Sequence, residues 1–251
     1  MSGASGHEGR LLGVGVGPGD PELLTIKATR IIAEAPVIAY FARKGARGIA
    51  RGIVDRWIGP ACVELALSYP LTTEVSVRDP AYAIALQAFY AQAGERIADH
   101  LRHGRDVALV CEGDPLFYGS FIHLYAELKG RFAVEIVPGI TGMAGCWSAA
   151  KVPIACGDDV FSVLPGTLGA ADLARHLAAS DAVVIIKLGA NLAKVRQAVT
   201  EAGRMQDAVY IEHGTSTAEQ IARLAEKADD VAPYFALIVI PGRGRHPAGR
   251  P

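Results

Sequence analysis

With 251 residues, 51% of them apolar and 20% charged, the chain has material for a full core in one large or two small domains, which excludes a disordered polypeptide. A formal net charge of −1 offers no bulk attraction to nucleic acid or to anionic membranes. No apolar run approaches a membrane span and the first ten residues, MSGASGHEGR, lack a signal-peptide core, so a soluble cytoplasmic protein is expected.

In chain order, Leu11–Val16 reads as a strand, with Asp20-Pro21 as N-cap and first residue of a helix over Glu22–Ala35. Val37–Tyr40 is a second strand, followed by a glycine-broken helical stretch to Trp57. Val63–Leu67 is a third, and Asp79-Pro80 caps a long alanine-rich helix that ends near His103-Gly104. A strand at Val107–Val110, a helix at Ser120–Leu128 and a strand at Val134–Val137 follow. This alternation predicts an α/β fold with a mainly parallel sheet. After Pro138-Gly139 a second α/β lobe begins with a small-residue helix, Thr141–Ala150. Its strands fall near Val160–Leu164, Val183–Lys187, Val209–Glu212 and Phe235–Ile240, with helices at Ala171–Ala178 and Leu192–Ala202 between them. The expected domains are residues 10–138 and 139–242, with disordered ends at 1–9 and 243–251.

Two loops carry the chemistry. Cys111-Glu112-Gly113-Asp114-Pro115-Leu116-Phe117-Tyr118-Gly119-Ser120-Phe121 follows a buried strand, and Gly13-Val14-Gly15-Val16-Gly17-Pro18-Gly19-Asp20-Pro21 follows another. Glycine permits positive φ or close backbone approach and proline stiffens the turn. Rigid loops at the carboxyl ends of strands are where open α/β sheets bind ligands. The spacing is not that of a Rossmann fingerprint, because Gly15-x-Gly17 is followed three positions later by Asp20 and the second strand ends in Ala39-Tyr40-Phe41 without a ribose-binding acid. No G-K-S/T is present for a phosphate loop. The four cysteines, Cys62, Cys111, Cys146 and Cys156, form no C-x-x-C pair, so reduced, mostly buried thiols are expected and no metal site.

GVGVGPGDPELLTIKA, CEGDPLFYGSF, VPGITGM, VVIIKLG and IEHGTS, in that order, resemble the class III S-adenosylmethionine-dependent tetrapyrrole methyltransferases, from about Leu11 to Pro241. That resemblance implies the two-lobed tetrapyrrole methylase fold, with a mixed sheet in the second lobe, a homodimer, and S-adenosylmethionine folded into a cleft between the lobes. Carried over motif by motif, the cofactor contacts would be Pro18, Glu112, Gly113, Asp114, Phe117, Thr141, Gly142, Lys187 and Gly214. The position of Lys187 is usually a methionine in the family. Within the family, EGDPLFYGSF, Tyr69-Pro70-Leu71-Thr72 and Lys187-Leu188-Gly189 look like the precorrin-2 C-20-methyltransferases of cobalamin biosynthesis, whereas the branch acting on uroporphyrinogen has an aspartate where Phe41 stands. The same chemistry on cobalt-factor II is the nearest alternative. A non-catalytic S-adenosylmethionine-binding module would be expected to have lost these loops.

Methyl transfer to an electron-rich carbon needs in-line approach and exclusion of water, so the lack of a His/Asp or Cys/His pair fits, and no catalytic residue is assigned. Asp114 suits a cationic ligand, although an Asp-Pro pair can simply shape a turn. A tetrapyrrole rich in carboxylates calls for cations. Arg43, Arg47 and Arg51 recur at i, i+4, i+8 and would line one helical face, with Lys44 and Arg78 as further candidates; the alternative is a solvated helix face. On this basis Arg47→Ala should weaken substrate affinity more than cofactor affinity. Tyr69, Tyr82, Phe89 and Tyr118 could cover a macrocycle, Phe89 being better suited to core packing and Tyr118 to exposure.

Overall fold

The computed structural model describes residues 7–70 and 80–244. It divides into two compact units, Met1–Thr141 and Gly142–Pro251.

In the first unit, strands β1 (Leu11–Gly15), β2 (Val37–Arg43), β3 (Val63–Tyr69), β4 (Val107–Cys111) and β5 (Val134–Val137) form one sheet in the order β3-β2-β4-β1-β5. Every pairing in it is parallel. Both faces are covered, which is why β1 and β4 are continuous apolar runs, buried throughout. Leu11, Ala39, Leu67 and Leu109 face one way, against α3 (Pro80–Arg102) and α4 (Phe121–Leu128) through Phe89, Ile97, Phe121 and Leu124. Their neighbours Leu12, Ile38, Ala108 and Val110 face the other way, against α1 (Ile26–Glu34) and α2 (Ile49–Ile53).

The second unit opens with α5 (Gly142–Ala149). Strands β6 (Phe161–Pro165), β7 (Ala182–Ile186), β8 (Val209–Glu212), β9 (Gln220–Arg223) and β10 (Ala236–Ile240) form a mixed sheet in the order β6-β7-β10-β8-β9. β6 and β7 are parallel, and β10 runs antiparallel to both β7 and β8. Helices α6 (Ala170–Ala179) and α7 (Leu192–Glu201) cover one face through Leu173, Leu177, Val195 and Val199, and α5 covers the other through Cys146. The expected α/β class, with a parallel first sheet and a mixed second one, is what the structure shows.

Three elements depart from expectation. The helix over Glu22–Ala35 is two pieces: a 3₁₀ turn, Pro21–Leu23, whose N-cap Asp20 accepts from the Glu22 amide, then α1. Leu24 is extended (ψ 143°) and Thr25 caps α1 by accepting from the Ala28 amide at 3.1 Å, so a second capping residue restarts the helix. β9 was not expected, because its residues are mostly exposed and carry no apolar alternation. At the amino end, Gly9 is buried and its amide donates to the Leu101 carbonyl at 2.8 Å, so order begins before residue 10. Asp79, Arg78, Leu71 and Thr72 lie outside the described residues, as do 1–6 and 245–251.

Candidate functional site

The carboxyl ends of β1, β4 and β5 carry three loops that are stitched together through backbone. The Gly113 amide donates to the Gly17 carbonyl at 2.8 Å and the Gly17 amide returns to Gly113 at 3.4 Å, an isolated antiparallel bridge between the first and second loops. Gly17 (φ 79°) and Gly113 (φ 65°) both occupy the left-handed region. The third loop is locked by contact: a Cβ on Gly139 would sit 2.1 Å from the Gly113 carbonyl oxygen and 2.8 Å from the Gly15 Cα. Pro18 and the Glu112–Asp114 run therefore meet at one edge of the sheet.

Asp114 holds this junction. One carboxylate oxygen accepts from the Leu116 amide at 2.9 Å, shaping the turn, and the other accepts from the Gly139 amide at 3.1 Å. The turn-forming role weighed for it is thus filled, and it extends to the third loop. Glu112 faces the opposite way. Its Oε1 accepts from the Ala50 amide in the first turn of α2 at 3.0 Å, and burial pushes its carboxyl up from the ordinary value. The N-cap of α2, Gly48, has no side chain to cap with, so Glu112 supplies that acceptor from β4's loop. Phe117 is half-buried, and Tyr118 lies edge-on to it with ring centroids 4.9 Å apart. Tyr118 is 47% exposed and held at φ 55°, a conformation costly for a side chain of its size.

The arginine row does not exist as a helical face. β2 runs through Arg43, Gly45 turns at φ 75°, and α2 begins only at Ile49, so Arg43 is a strand residue, Arg47 a loop residue and Arg51 alone is helical. Arg51 is 7% exposed and saturated: Nε and Nη2 reach Glu64 at 2.7 and 2.6 Å, and Nη1 reaches Asp55 at 2.7 Å. Its place is in a structural network with Tyr40, which donates to the same glutamate at 3.3 Å. Arg47 pairs with Asp55 and stays exposed. Arg43 and Lys44 are exposed and make no ion pair among the described residues. Phe89 is core, as its apolar helix face implies, and Tyr69 stacks on Phe41 with centroids 5.6 Å apart.

In the second unit, Lys187 directly follows β7 and Gly214 comes two residues after the end of β8, two strands that run parallel with β10 between them. Lys187 (φ 57°), His213 (φ 48°) and Thr215 (φ 67°) all occupy the left-handed region, a concentration of strained backbone at one edge of this sheet. Gly214 is required by packing, since a Cβ there would meet the Cys146 sulfur at 2.5 Å. Gly142 is different: a Cβ on it would meet nothing within 4 Å.

Two of the cysteines are buried and poorly suited to act as nucleophiles. Burial, then the neighbouring Glu112 and Asp114, raises the Cys111 thiol well above its ordinary value, and burial pushes Cys146 up to about 12. Cys62 is half-buried and Cys156 exposed, so burial is less general than composition suggested. No cluster of His, Cys, Asp or Glu able to hold a metal ion, and no helix long and apolar enough to cross a membrane, occurs among the described residues.

A family model described as Tetrapyrrole (Corrin/Porphyrin) Methylases matches residues 10–228. The chain is 53% identical over 234 residues to a precorrin-2 C(20)-methyltransferase from Sinorhizobium sp, an alignment covering 93% of this chain and 96% of that protein. It is 26% identical to the cobalt-precorrin-2 C(20)-methyltransferase of Salmonella typhimurium, over 92% of this chain and 96% of that one. Among solved structures, uroporphyrin-III C-methyl transferase from Thermus thermophilus complexed with S-adenyl homocysteine matches with a TM-score of 0.66 at 24% identity, covering 93% and 92% of the two chains, a likeness of fold.

Proposed function

The chain belongs to the tetrapyrrole methylases, a methyltransferase family, and we propose that within it this protein methylates carbon-20 of precorrin-2 to give precorrin-3A in cobalamin biosynthesis. The observation that carries the choice of substrate is the 53% identity, nearly end to end, with the Sinorhizobium precorrin-2 enzyme; the cobalt-precorrin-2 enzyme of Salmonella stands at 26%.

The residues present suit S-adenosylmethionine. The locked loops after β1, β4 and β5 bring backbone together at glycine positions, and among the described residues no atom lies within 4 Å of where a Cβ on Gly142 would stand. Pro18, Gly113, Thr141 and Gly142 would hold the cofactor largely through main chain, with Asp114 fixing the loop and Phe117 supplying an apolar wall. Lys187 and Gly214, in the second unit, are carried over by the family resemblance alone. When bound, this cofactor supplies an electrophilic methyl group on a sulfonium.

The chain's own contribution is positioning. A stitched, glycine-tight loop set holds one geometry, and such pre-orientation can supply on the order of 7–11 kcal/mol of the barrier. Arg43 and Lys44 provide the cations for substrate carboxylates, with exposed Arg47 beside them, and Tyr118 lies over one side. Arg51, committed to Glu64 and Asp55, supports α2 and is dropped from the substrate set. No side chain is assigned to accept the proton lost from the substrate carbon, which solvent can take. A homodimer in the cytoplasm belongs to the same reading, and light scattering tests the oligomer.

The deciding experiment is anaerobic incubation with S-adenosylmethionine and either precorrin-2 or its cobalt-loaded counterpart, followed by mass spectrometry. Gain of one methyl group on the metal-free substrate is expected. Gain only on the cobalt form, or none while the cofactor still binds, overturns the choice of substrate.

A further inference from the structure

Helix α2 begins without a local cap. Its N-cap residue is Gly48, and a Cβ there would sit 2.4 Å from the Phe41 carbonyl oxygen and 2.8 Å from the Tyr40 ring. Serine, aspartate or asparagine, which ordinarily cap a helix from this position, would clash with that backbone. The acceptor comes instead from 62 residues away, where Glu112 Oε1 takes the Ala50 amide at 3.0 Å. Burial raises the Glu112 carboxyl, so the bond is held at a cost that an apolar contact would not carry. Such an arrangement calls for a use beyond capping five residues.

The place of Glu112 in the chain gives it one. Its backbone lies between Cys111, the last residue of β4, and Gly113, which bridges to Gly17 and packs on Gly139. Its side chain ends on the first turn of α2, directly after the loop 44–48. That loop leaves β2 at Arg43 and turns where the Ala46 amide donates to the Arg43 carbonyl at 3.0 Å. It carries Lys44, exposed and in no ion pair among the described residues, and Arg47, whose partner Asp55 is itself exposed. One side-chain bond thus joins the loop proposed to hold the cofactor to the loop that offers cations to substrate carboxylates.

We infer that Glu112 is a positioning residue for the tetrapyrrole: by holding the Ala50 amide it sets where Lys44 and Arg47 stand relative to the cofactor loop. The inference rests on the tetrapyrrole substrate class proposed above. It moves Glu112 from the cofactor contacts that the family resemblance implies to the substrate side. The cations bind, and Glu112 acts only through the loop that carries them.

The test separates reach from charge. Glu112→Asp keeps the carboxylate but is one methylene short of the Ala50 amide, whereas Glu112→Gln keeps the reach and an acceptor oxygen without the charge. For both variants the KM for precorrin-2, the Tm, and the dissociation constants of S-adenosylhomocysteine and of uroporphyrin, a stable tetrapyrrole octacarboxylate, are measured. Glu112→Asp is expected to raise KM and weaken uroporphyrin roughly five- to tenfold, with S-adenosylhomocysteine moving less than about twofold. Glu112→Gln should stay within about twofold of wild type for every ligand. In a Lys44→Ala/Arg47→Ala background, Glu112→Asp should lose most of its effect on uroporphyrin, and a full effect there overturns the inference. Equal losses in Glu112→Gln and Glu112→Asp would make charge the cause and overturn it too. So does a larger loss of cofactor than of tetrapyrrole, or a lower Tm with equal loss of both, the pattern of a structural strut. Wild type that binds uroporphyrin but leaves precorrin-2 unmethylated overturns the substrate choice alone, and the uroporphyrin comparison still decides on Glu112.

Discussion

At Gly139 an added methyl carbon would lie 2.1 Å from the Gly113 carbonyl oxygen, whereas at Gly142, three residues on, it would meet nothing within 4 Å. Neither glycine has a positive φ, so their conformations alone do not explain them. Packing explains Gly139 and leaves Gly142 open to a ligand. Gly139→Ala should therefore cost at least about 2 kcal/mol, because the opposing atom is backbone and cannot step aside. Gly142→Ala should leave stability unchanged or raise it by about 0.4–1 kcal/mol, as alanine narrows the unfolded ensemble. It should nonetheless weaken S-adenosylmethionine, because the new methyl occupies the approach to the backbone. Urea unfolding and calorimetric titration of both variants check this; cofactor affinity unchanged in Gly142→Ala would remove that residue from the binding surface.

At the scale of the element, α2 is informative because five residues are too few to be helical on their own. It is held from two sides, by Glu112 on the Ala50 amide and by Arg51 on Glu64 and Asp55. Glu64 and Asp55 are held below their ordinary values, chiefly by hydrogen bonds from Arg51. A depressed folded pKa means stabilisation that is present above the unfolded values, near 4, and is lost as pH falls through the lower folded ones. Glu112 is raised by burial, so its contribution has the opposite sign: present in acid and lost as pH rises through its folded value. Arg51→Met should flatten the acid limb of the stability curve and cost about 1–3 kcal/mol at neutral pH, less than a fully buried pair because Glu64 is 39% and Asp55 55% exposed. Glu112→Gln should flatten the curve above that window instead. Urea midpoints across the acid range decide, and an acid limb in Arg51→Met as steep as in wild type would dismiss the network. The same helix marks the limit of what the sequence reveals. Strands β1, β4 and β10 are legible because both faces are buried and the apolar runs are unbroken. The loops are legible because Gly and Pro restrict backbone locally. The regular arginine spacing misleads, because the acids that claim Arg51 include one thirteen residues away on β3, Glu64. The partners of Ser120, the hydroxyls of Tyr69 and Tyr90, likewise lie 51 and 30 residues distant, beyond the reach of local sequence.

For the molecule as a whole, 25 basic and 26 acidic residues nearly cancel, so no net field attracts an anionic substrate. Attraction must come from cations that the fold leaves uncommitted. Many basic side chains are already spoken for: Arg10 by Asp106, Lys27 by Glu135, Arg51 by Glu64, Arg196 by Asp230 and Arg243 by Asp207. Arg43 and Lys44, at the carboxyl edge beside the candidate site, are exposed and outside these pairs. A substrate held by such exposed charges should respond to ionic strength, because screening over about 10 Å is complete enough at moderate salt to weaken them. A cofactor held through backbone and glycine contacts, as proposed, should not. Raising sodium chloride from about 50 to about 500 mM should therefore increase KM for the tetrapyrrole several-fold while the S-adenosylmethionine dissociation constant moves less than about twofold. Arg43→Ala should reduce the steepness of the first dependence and leave the second alone. Equal slopes for the two ligands would mean that substrate is recognised through apolar and backbone contacts, and that the cations at the sheet edge are only a solvated rim.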